Sequence, residues 1–265
     1  MPFSATTFIF DGTPSEFFNL YLGELDGDGV SSMPMSNDVS LITEKIFRRP
    51  VPFLYGAEQT PVLEFSISCY FPGFMDSTYF SEVSAWLFGQ QEYKELIMCQ
   101  TDMTDVYFNC FLTSPQVSRV GNLIRGFTAT VICDAPWGWK TSKTYTETTT
   151  PTPYTFTIFN YSGDSYYTQP TSVVATFDNS GGSGSIYNDS DASRETALSS
   201  ITANDVITMN SDLQTISASS GDTAMLSTTK FNYNWLRLVR GHNVLRVTGN
   251  IISIVISSPV AVKIG

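Results

Sequence analysis

Residues 126–139 read GFTATVICDAPWGW. Phe127, Ala129, Val131 and Cys133 fall on one face of an extended chain, and Thr128, Thr130 and Ile132 on the other. A period of two in β-branched and apolar residues is a strand signal. Asp134-Ala-Pro136 then ends it, because proline has no N–H to donate and restricts the residue before it. Trp137 and Trp139 flank Gly138, so on an extended backbone both indoles face the same way. After Lys140 the composition turns to threonine and proline. The stretch therefore marks the last strand of a first domain, a latch of two tryptophans, and the exit to a second domain.

Upstream, Thr7–Phe10 is a short β-rich run closed by the turn pair Asp11-Gly12, and Phe17–Leu22 is a second run; together they predict a hairpin. Asp26-Gly-Asp-Gly29 resembles the start of a calcium loop, but the twelfth position is Asn37, where a glutamate ligand is required. It is expected to be an acidic loop. Leu41–Phe53 carries Lys45, Arg48 and Arg49 ahead of Pro50 and Pro52, which predicts an edge segment or loop. Its basic residues suit either solvent or acidic neighbours on another subunit. Val62–Phe71 alternates cleanly, with Phe65, Ile67, Cys69 and Phe71 on one face. Asp76–Phe88 is the one helix expected: Asp76, Ser77 and Thr78 offer capping oxygens, and Tyr79, Phe80, Val83, Trp86 and Leu87 form an apolar stripe. Gly89 suits the position just past its end. Strands follow at Glu95–Cys99 and Val106–Thr113, then a turn at Gly121-Asn122.

Downstream, KTSKTYTETTTPTP at 140–153 has the composition of a linker. This sets the expected domains at 1–140 and 154–265, joined by residues 141–153. Short candidate strands follow at Tyr154–Asn160, Ser172–Phe177, Ser185–Asn188, Thr196–Leu198, Val206–Met209, Leu213–Ala218 and Ala224–Leu226. Gly181–Ser185 is expected to be a loop. Trp235–Val239, Val244–Thr248 and Ile251–Ser257, separated by the turns Arg240–Asn243 and Gly249-Asn250, predict a meander in an all-β sandwich.

The chain of 265 residues has a formal charge of −11, and the excess is local. Residues 1–150 hold 8 basic and 17 acidic side chains, against 6 and 8 in residues 151–265. So acidic a half does not grip nucleic acid, which needs cations to displace counterions. No signal peptide and no apolar run of membrane-spanning length is evident. Cys69, Cys99, Cys110 and Cys133 form no CxxC pair and are expected to be buried free thiols. One histidine, His242, no nucleophile elbow and no phosphate loop leave no catalytic, cofactor or metal site to assign. Asn160-Tyr-Ser162 and Asn188-Asp-Ser190 match glycosylation sequons. Tyr233, Trp235, Asn243 and Arg246 are residue types that a saccharide site uses, although Trp235 equally suits a sandwich core.

Three stretches together resemble the distal tail protein family of long-tailed bacteriophages. FIFDGTPSEFFNLYLGEL at 8–25 is similar to the family's first hairpin. RGFTATVICDAPWGW at 125–139 is similar to the strand and aspartate-proline-aromatic exit of its N-terminal domain, and NWLRLVRGHNVLRVTGN at 234–250 to a hairpin of its C-terminal sandwich. The Asp26–Gly29 loop and the proline-bearing segment to Phe53 depart from the family pattern. The resemblance implies a mainly β fold: an N-terminal β-sandwich with one helix and a C-terminal galectin-like (jelly-roll) β-sandwich. It implies a structural virion protein without enzymatic activity. Six copies would form a hub joining the tail tube protein to the tail-tip or baseplate and receptor-binding proteins. DNA would pass through the channel without specific binding. The site would be the virion tail tip, after synthesis in the host bacterial cytoplasm, with no membrane insertion. An acidic first half suits such a channel. The alternative is a carbohydrate-binding host-recognition module of a phage tail.

Overall fold

The computed structural model describes residues 5–23, 39–47, 50–59, 62–163 and 167–263. The Asp26–Gly29 loop, Arg48 and Arg49 lie outside the described residues. The fold is mainly β: of the described residues, 57% are strand and 7% helical. It divides into two compact units, Met1–Trp139 with Lys263–Gly265, and Lys140–Val262.

The first unit begins with β1 (Phe8–Phe10) and β2 (Thr13–Pro14), joined through Asp11-Gly12, where both residues have positive φ. That is the backbone a two-residue hairpin turn demands. The expected partner run at Phe17–Leu22 is not the second strand of this hairpin. Ser15–Phe18 is a 3-10 turn, and β3 (Tyr21–Leu22) pairs instead with β6 (Glu64–Met75). β4 (Val39–Glu44) and β5 (Phe53–Gln59) pair only with each other among the described residues. Pro50 and Pro52 fall in their connection, so the segment expected to be a loop or edge is a hairpin. The helix α1 (Ser77–Phe88) starts at Asp76, whose Oδ1 accepts from the Tyr79 N–H at 2.8 Å. A cap of this kind contributes about 1 kcal/mol. Gly89 closes the helix at φ −82°, without the left-handed turn.

β7 (Lys94–Met98), β8 (Val106–Val120) and β9 (Leu123–Cys133) complete the unit, with strand order β3-β6-β9-β8-β7-β1-β2. β8 and β9 turn at Gly121-Asn122, as the sequence predicts, with Gly121 at φ +63°. Along β9, Phe127, Ala129, Val131 and Cys133 point inward and are buried. The helix stripe meets them: Phe80 and Phe88 lie edge-on to Phe127 at 6.0 and 5.8 Å. Trp86 stacks on Phe18 at 4.8 Å and donates its indole N–H to the Phe10 carbonyl. The helix thus packs on Phe127 of β9 and on the β1 side of the unit, whose buried residues include Phe8, Phe10, Leu87, Phe108 and Phe127. At the exit, Trp137 and Trp139 meet edge-on at 5.8 Å, and Trp139 Nε1 donates to Asp134.

The linker expectation fails. β10 (Gly138–Thr148) is an eleven-residue strand that pairs with β20 (Ile251–Val262) in the second unit. Its threonines are β-branched, which favours extended backbone. Thr149 donates its N–H to Ile252 and its hydroxyl to Ile251, and Thr152 Oγ1 donates to Gly249. The threonine-rich run is therefore built into the second unit.

That unit is two facing sheets. One carries β10, β20, β13 (Ser172–Phe177), β16 (Val206–Asn210) and β17 (Thr215–Ala218). The other is β11 (Tyr154–Asn160), β19 (Gly241–Gly249), β14 (Gly182–Asn188) and β15 (Arg194–Ile201). A small ladder joins β12 (Tyr167–Thr168) to β18 (Leu238–Val239). Inward residues from both sheets, among them Phe156, Val173, Phe177, Ile186, Leu245 and Ile254, form one core. Ala224–Leu226 is a turn rather than a strand. The expected meander is absent: β18 pairs β12, β19 pairs β11 and β14, and β20 pairs β13. Gly249-Asn250 is a corner from one sheet to the other. The glycine-rich 181–185 loop is also mostly strand, for a steric reason. A Cβ on Gly184 would lie 2.5 Å from Ile251 Cγ1, so its lack of a side chain lets β14 approach β20 closely.

Candidate interaction surfaces

The chemistry-bearing side chains of the second unit gather around the β14–β15 turn and the start of β19. Asn188 and Asn243 are fully buried and hydrogen-bonded to each other at 2.8 Å. Asn243 Oδ1 also accepts from the Val239 N–H, and its amide donates to the Val239 and Gly241 carbonyls. Asn188 donates to Arg237 O and accepts from the Ser190 N–H. Both sequon asparagines are used in this way, since Asn160 Oδ1 accepts from Ser162 N and its amide donates to Leu238 O. The Asn-x-Ser spacing here is that of a side chain bonding its own backbone two residues on. Nearby, Arg237 grips Asp191 with two N–H donors and lies over the Tyr167 ring. Arg246 pairs with Asp189 through two hydrogen bonds, at 3.0 and 3.1 Å, and lies over Tyr187 at 4.2 Å. The Tyr187 hydroxyl donates to Glu195.

The four residues considered for a saccharide do not converge. Trp235 is buried against Phe231 at 5.2 Å. Tyr233 is exposed at φ +57°, its hydroxyl bonded to Leu226 O. Asn243 and Arg246 share β19 but differ in parity, so one faces the core and the other the surface. Residue type alone could not show this; strand parity along Val244–Thr248 could. His242 is exposed and meets Phe159 edge-on at 4.9 Å. Cys69, Cys110 and Cys133 are buried as expected, but Cys99 is exposed. Burial pushes the Cys133 thiol up to about 12 and raises Cys69 and Cys110 as well, so these three stay protonated and inert. Among the described residues no three His, Cys, Asp or Glu side chains are grouped to hold a metal ion.

The Arg246 hydrogen bonds hold the Asp189 carboxyl below the usual carboxylate range, outweighing its partial desolvation. A depressed carboxylate contributes stability that is fully present above the unfolded value of about 3.9 and is lost as pH falls through the folded value. Asp189→Asn should therefore flatten the loss of urea resistance below about pH 4. Equal acid slopes in the parent and the variant would show that the pair contributes nothing.

In the first unit the β4–β5 hairpin pairs with no third strand among the described residues. Leu41, Leu54 and Tyr55 are 63%, 57% and 61% exposed, and Ile42, Ile46 and Val51 are also exposed. Thr43 pairs with Leu54 and Ile42 with Gly56, so Tyr55 is an extra, bulged residue. Its hydroxyl donates to Glu44 at 2.7 Å, which raises the phenol above its ordinary value. Leu41 and Ile42 project from opposite faces of the ribbon, so both faces are apolar and bare.

Residues 3–135 match the family model of a phage tail protein N-terminal domain, and residues 137–258 match that of a phage tail C-terminal domain. The chain belongs to the phage tail proteins. Its fold is that of the Dit (gp 19.1) protein of SPP1, a structure described as a paradigm of the hub adsorption apparatus in phages infecting Gram-positive bacteria. That likeness has a TM-score of 0.70 at 13% identity, over 96% of this chain and 98% of that one. A second tail structure, from the phage p2 baseplate in its activated conformation with Sr, is similar at a TM-score of 0.51 and 9% identity, over 98% and 99%. No curated protein sequence matches this tail protein. The two family models meet between Ala135 and Trp137, at the Asp-Ala-Pro break that ends β9.

Proposed function

We propose that this tail protein is a distal tail protein: six copies form a ring-shaped hub that joins the tail tube to the tail tip or baseplate. Its role is mechanical rather than catalytic. Residues 1–140 form the ring, and the sandwich from 154 to 265, galectin-like and preceded by β10, meets tail-tip and receptor-binding proteins. The particle belongs in the virion, assembled in the host bacterial cytoplasm, and DNA leaves through its channel without being held. The single observation that supports this reading is similarity to the SPP1 hub protein over 96% of one chain and 98% of the other. A full-length match is what a protein used as a whole assembly unit requires. The excess of acid in residues 1–150 fits a channel wall that repels DNA, an effect felt only within about a Debye length, ~8 Å at physiological salt.

Native mass spectrometry tests the ring. The expected particle is about 176 kDa, six times the 29.3 kDa chain. A single chain at every concentration would end the hub reading. The carbohydrate-binding alternative would need a surface other than Tyr233, Trp235, Asn243 and Arg246, since these do not meet.

A further inference from the structure

We propose that Cys110 and Cys133 are a latent disulfide pair, reduced while the chain folds and joined once it meets an oxidising disulfide outside the cell. The timing rests on the reading above, in which the chain is made in a bacterial cytoplasm and works in the virion; the pairing does not. Cytosolic thiols are held reduced, whereas virion surfaces stand in an oxidising medium.

β8 and β9 place the two residues directly opposite each other, and both side chains are buried. The Asp134 N–H donates to the Asn109 carbonyl at 2.8 Å, and the Cys133 N–H turns away from β8 to the Leu63 carbonyl. Cys110 and Cys133 are therefore a non-hydrogen-bonded pair, the position where facing side chains come closest. The α-carbons of such a pair are about 4.5 Å apart, inside the ~4.4–6.8 Å that a disulfide spans. Register shifts in this ladder begin only beyond Thr113. Burial first, and then Cys133 itself, raise the Cys110 thiol, so the two sulfur atoms act on each other. No other pairing is within reach. Cys69 lies opposite Phe127, six residues before Cys133 and so ~20 Å along the strand. Cys99 is five residues past Lys94, the residue opposite Cys110, or ~17 Å away.

In the closed ladder both thiols are protonated and unreactive. Cys133 is the last residue of β9, where a ladder opens most readily, and exchange runs through that opening. One cysteine loses its proton, and its thiolate attacks a small disulfide such as oxidised glutathione, expelling one glutathione thiolate. The second cysteine, deprotonated in turn, displaces the other glutathione and closes the S–S bond. Two protons pass to the released thiolates, and two electrons pass from the cysteine pair to the glutathione disulfide. The bond fastens β8 to β9 beside Asp134, which accepts from Asn109 and Trp139 where the chain leaves the first unit.

The test uses the full chain with Cys99→Ser, which removes the exposed thiol. Reduced protein is held with oxidised glutathione at about pH 8, once in buffer and once in urea just below the unfolding midpoint, where opening is frequent. The expected product is about 2 Da lighter, for the two hydrogens lost, with a peptide linking Cys110 to Cys133 and Cys69 still open to alkylation. Its thermal midpoint should rise by about 5–15 °C, and dithiothreitol should reverse both changes. Cys110→Ala and Cys133→Ala should each abolish the link and the rise. A bond to Cys69, glutathione retained on Cys133 without a link, two free thiols in both conditions, or a link that lowers the midpoint overturns the pair. Native mass of the reduced sample reads the hub separately. A single chain that still forms the link removes the hub, and the timing with it, and leaves the bond.

Discussion

Asn243→Ala is expected to destabilise the second unit by about 4 kcal/mol or more. The side chain is fully buried and makes four hydrogen bonds, to Val239 twice, Gly241 once and Asn188 once. Each buried group left without a partner costs about 1–3 kcal/mol, and alanine would remove the partner of Asn188 and of the half-buried Val239 and Gly241 backbone together. The loss should spread to β18, whose position depends on Val239, and from there to its ladder with β12. Asn243→Asp should be no milder, because a carboxylate in place of the amide would face the Val239 and Gly241 carbonyls. Urea denaturation, with hydrogen exchange to locate the opening, measures both variants. A cost under about 1 kcal/mol would mean that water or a local shift replaces these bonds, and the buried asparagine pair would lose its structural role.

The second large effect lies in the first unit. Phe127→Ala should cost about 3–5 kcal/mol. Phe127 is buried on β9, and the rings of Phe80 and Phe88 close on it from one helix. Deleting it removes the contact that fixes both ends of α1's inner stripe, so the cavity cannot close by moving one side chain. Phe127→Leu, which keeps most of the volume, should recover at least half of the loss. Melting of the helical circular dichroism signal reads the result. Equal midpoints for parent and Phe127→Ala would show that the helix is held instead by Trp86 and the β1 side of the unit.

The Phe127 effect comes from a place where the sequence pattern and the fold agree. Phe127–Cys133 alternates because one face meets the helix and the other does not, and that alternation is visible without coordinates. The helix was equally legible through Asp76 and its apolar stripe. Residues 140–148 were not, for a physical reason. Thr141, Ser142, Lys143 and Thr144 are all exposed, so no burial contrast writes a period into the sequence. Only their β-branched content pointed to a strand. Pairing was hidden in the same way. The spacing of Val244–Thr248 and Ile251–Ser257 marks two strands and a turn, but not that Gly249-Asn250 changes sheets. The saccharide residues were grouped by chemistry, while strand parity separates Asn243 from Arg246. The β4–β5 segment showed its prolines and cations but not its pairing, since a ribbon bare on both sides has no inner face to alternate against.

The asparagines at 160 and 188 have a practical consequence. Each sits in a tripeptide that a eukaryotic secretory pathway would modify during translocation, before the chain has folded. Each must later withdraw from solvent so that its amide can bond Leu238 or Arg237. A sugar attached there could not follow it inside. Secretion from yeast or animal cells would therefore yield chains locked out of the second unit's native packing, whereas a compartment without the glycan-transfer machinery lets both asparagines reach their places.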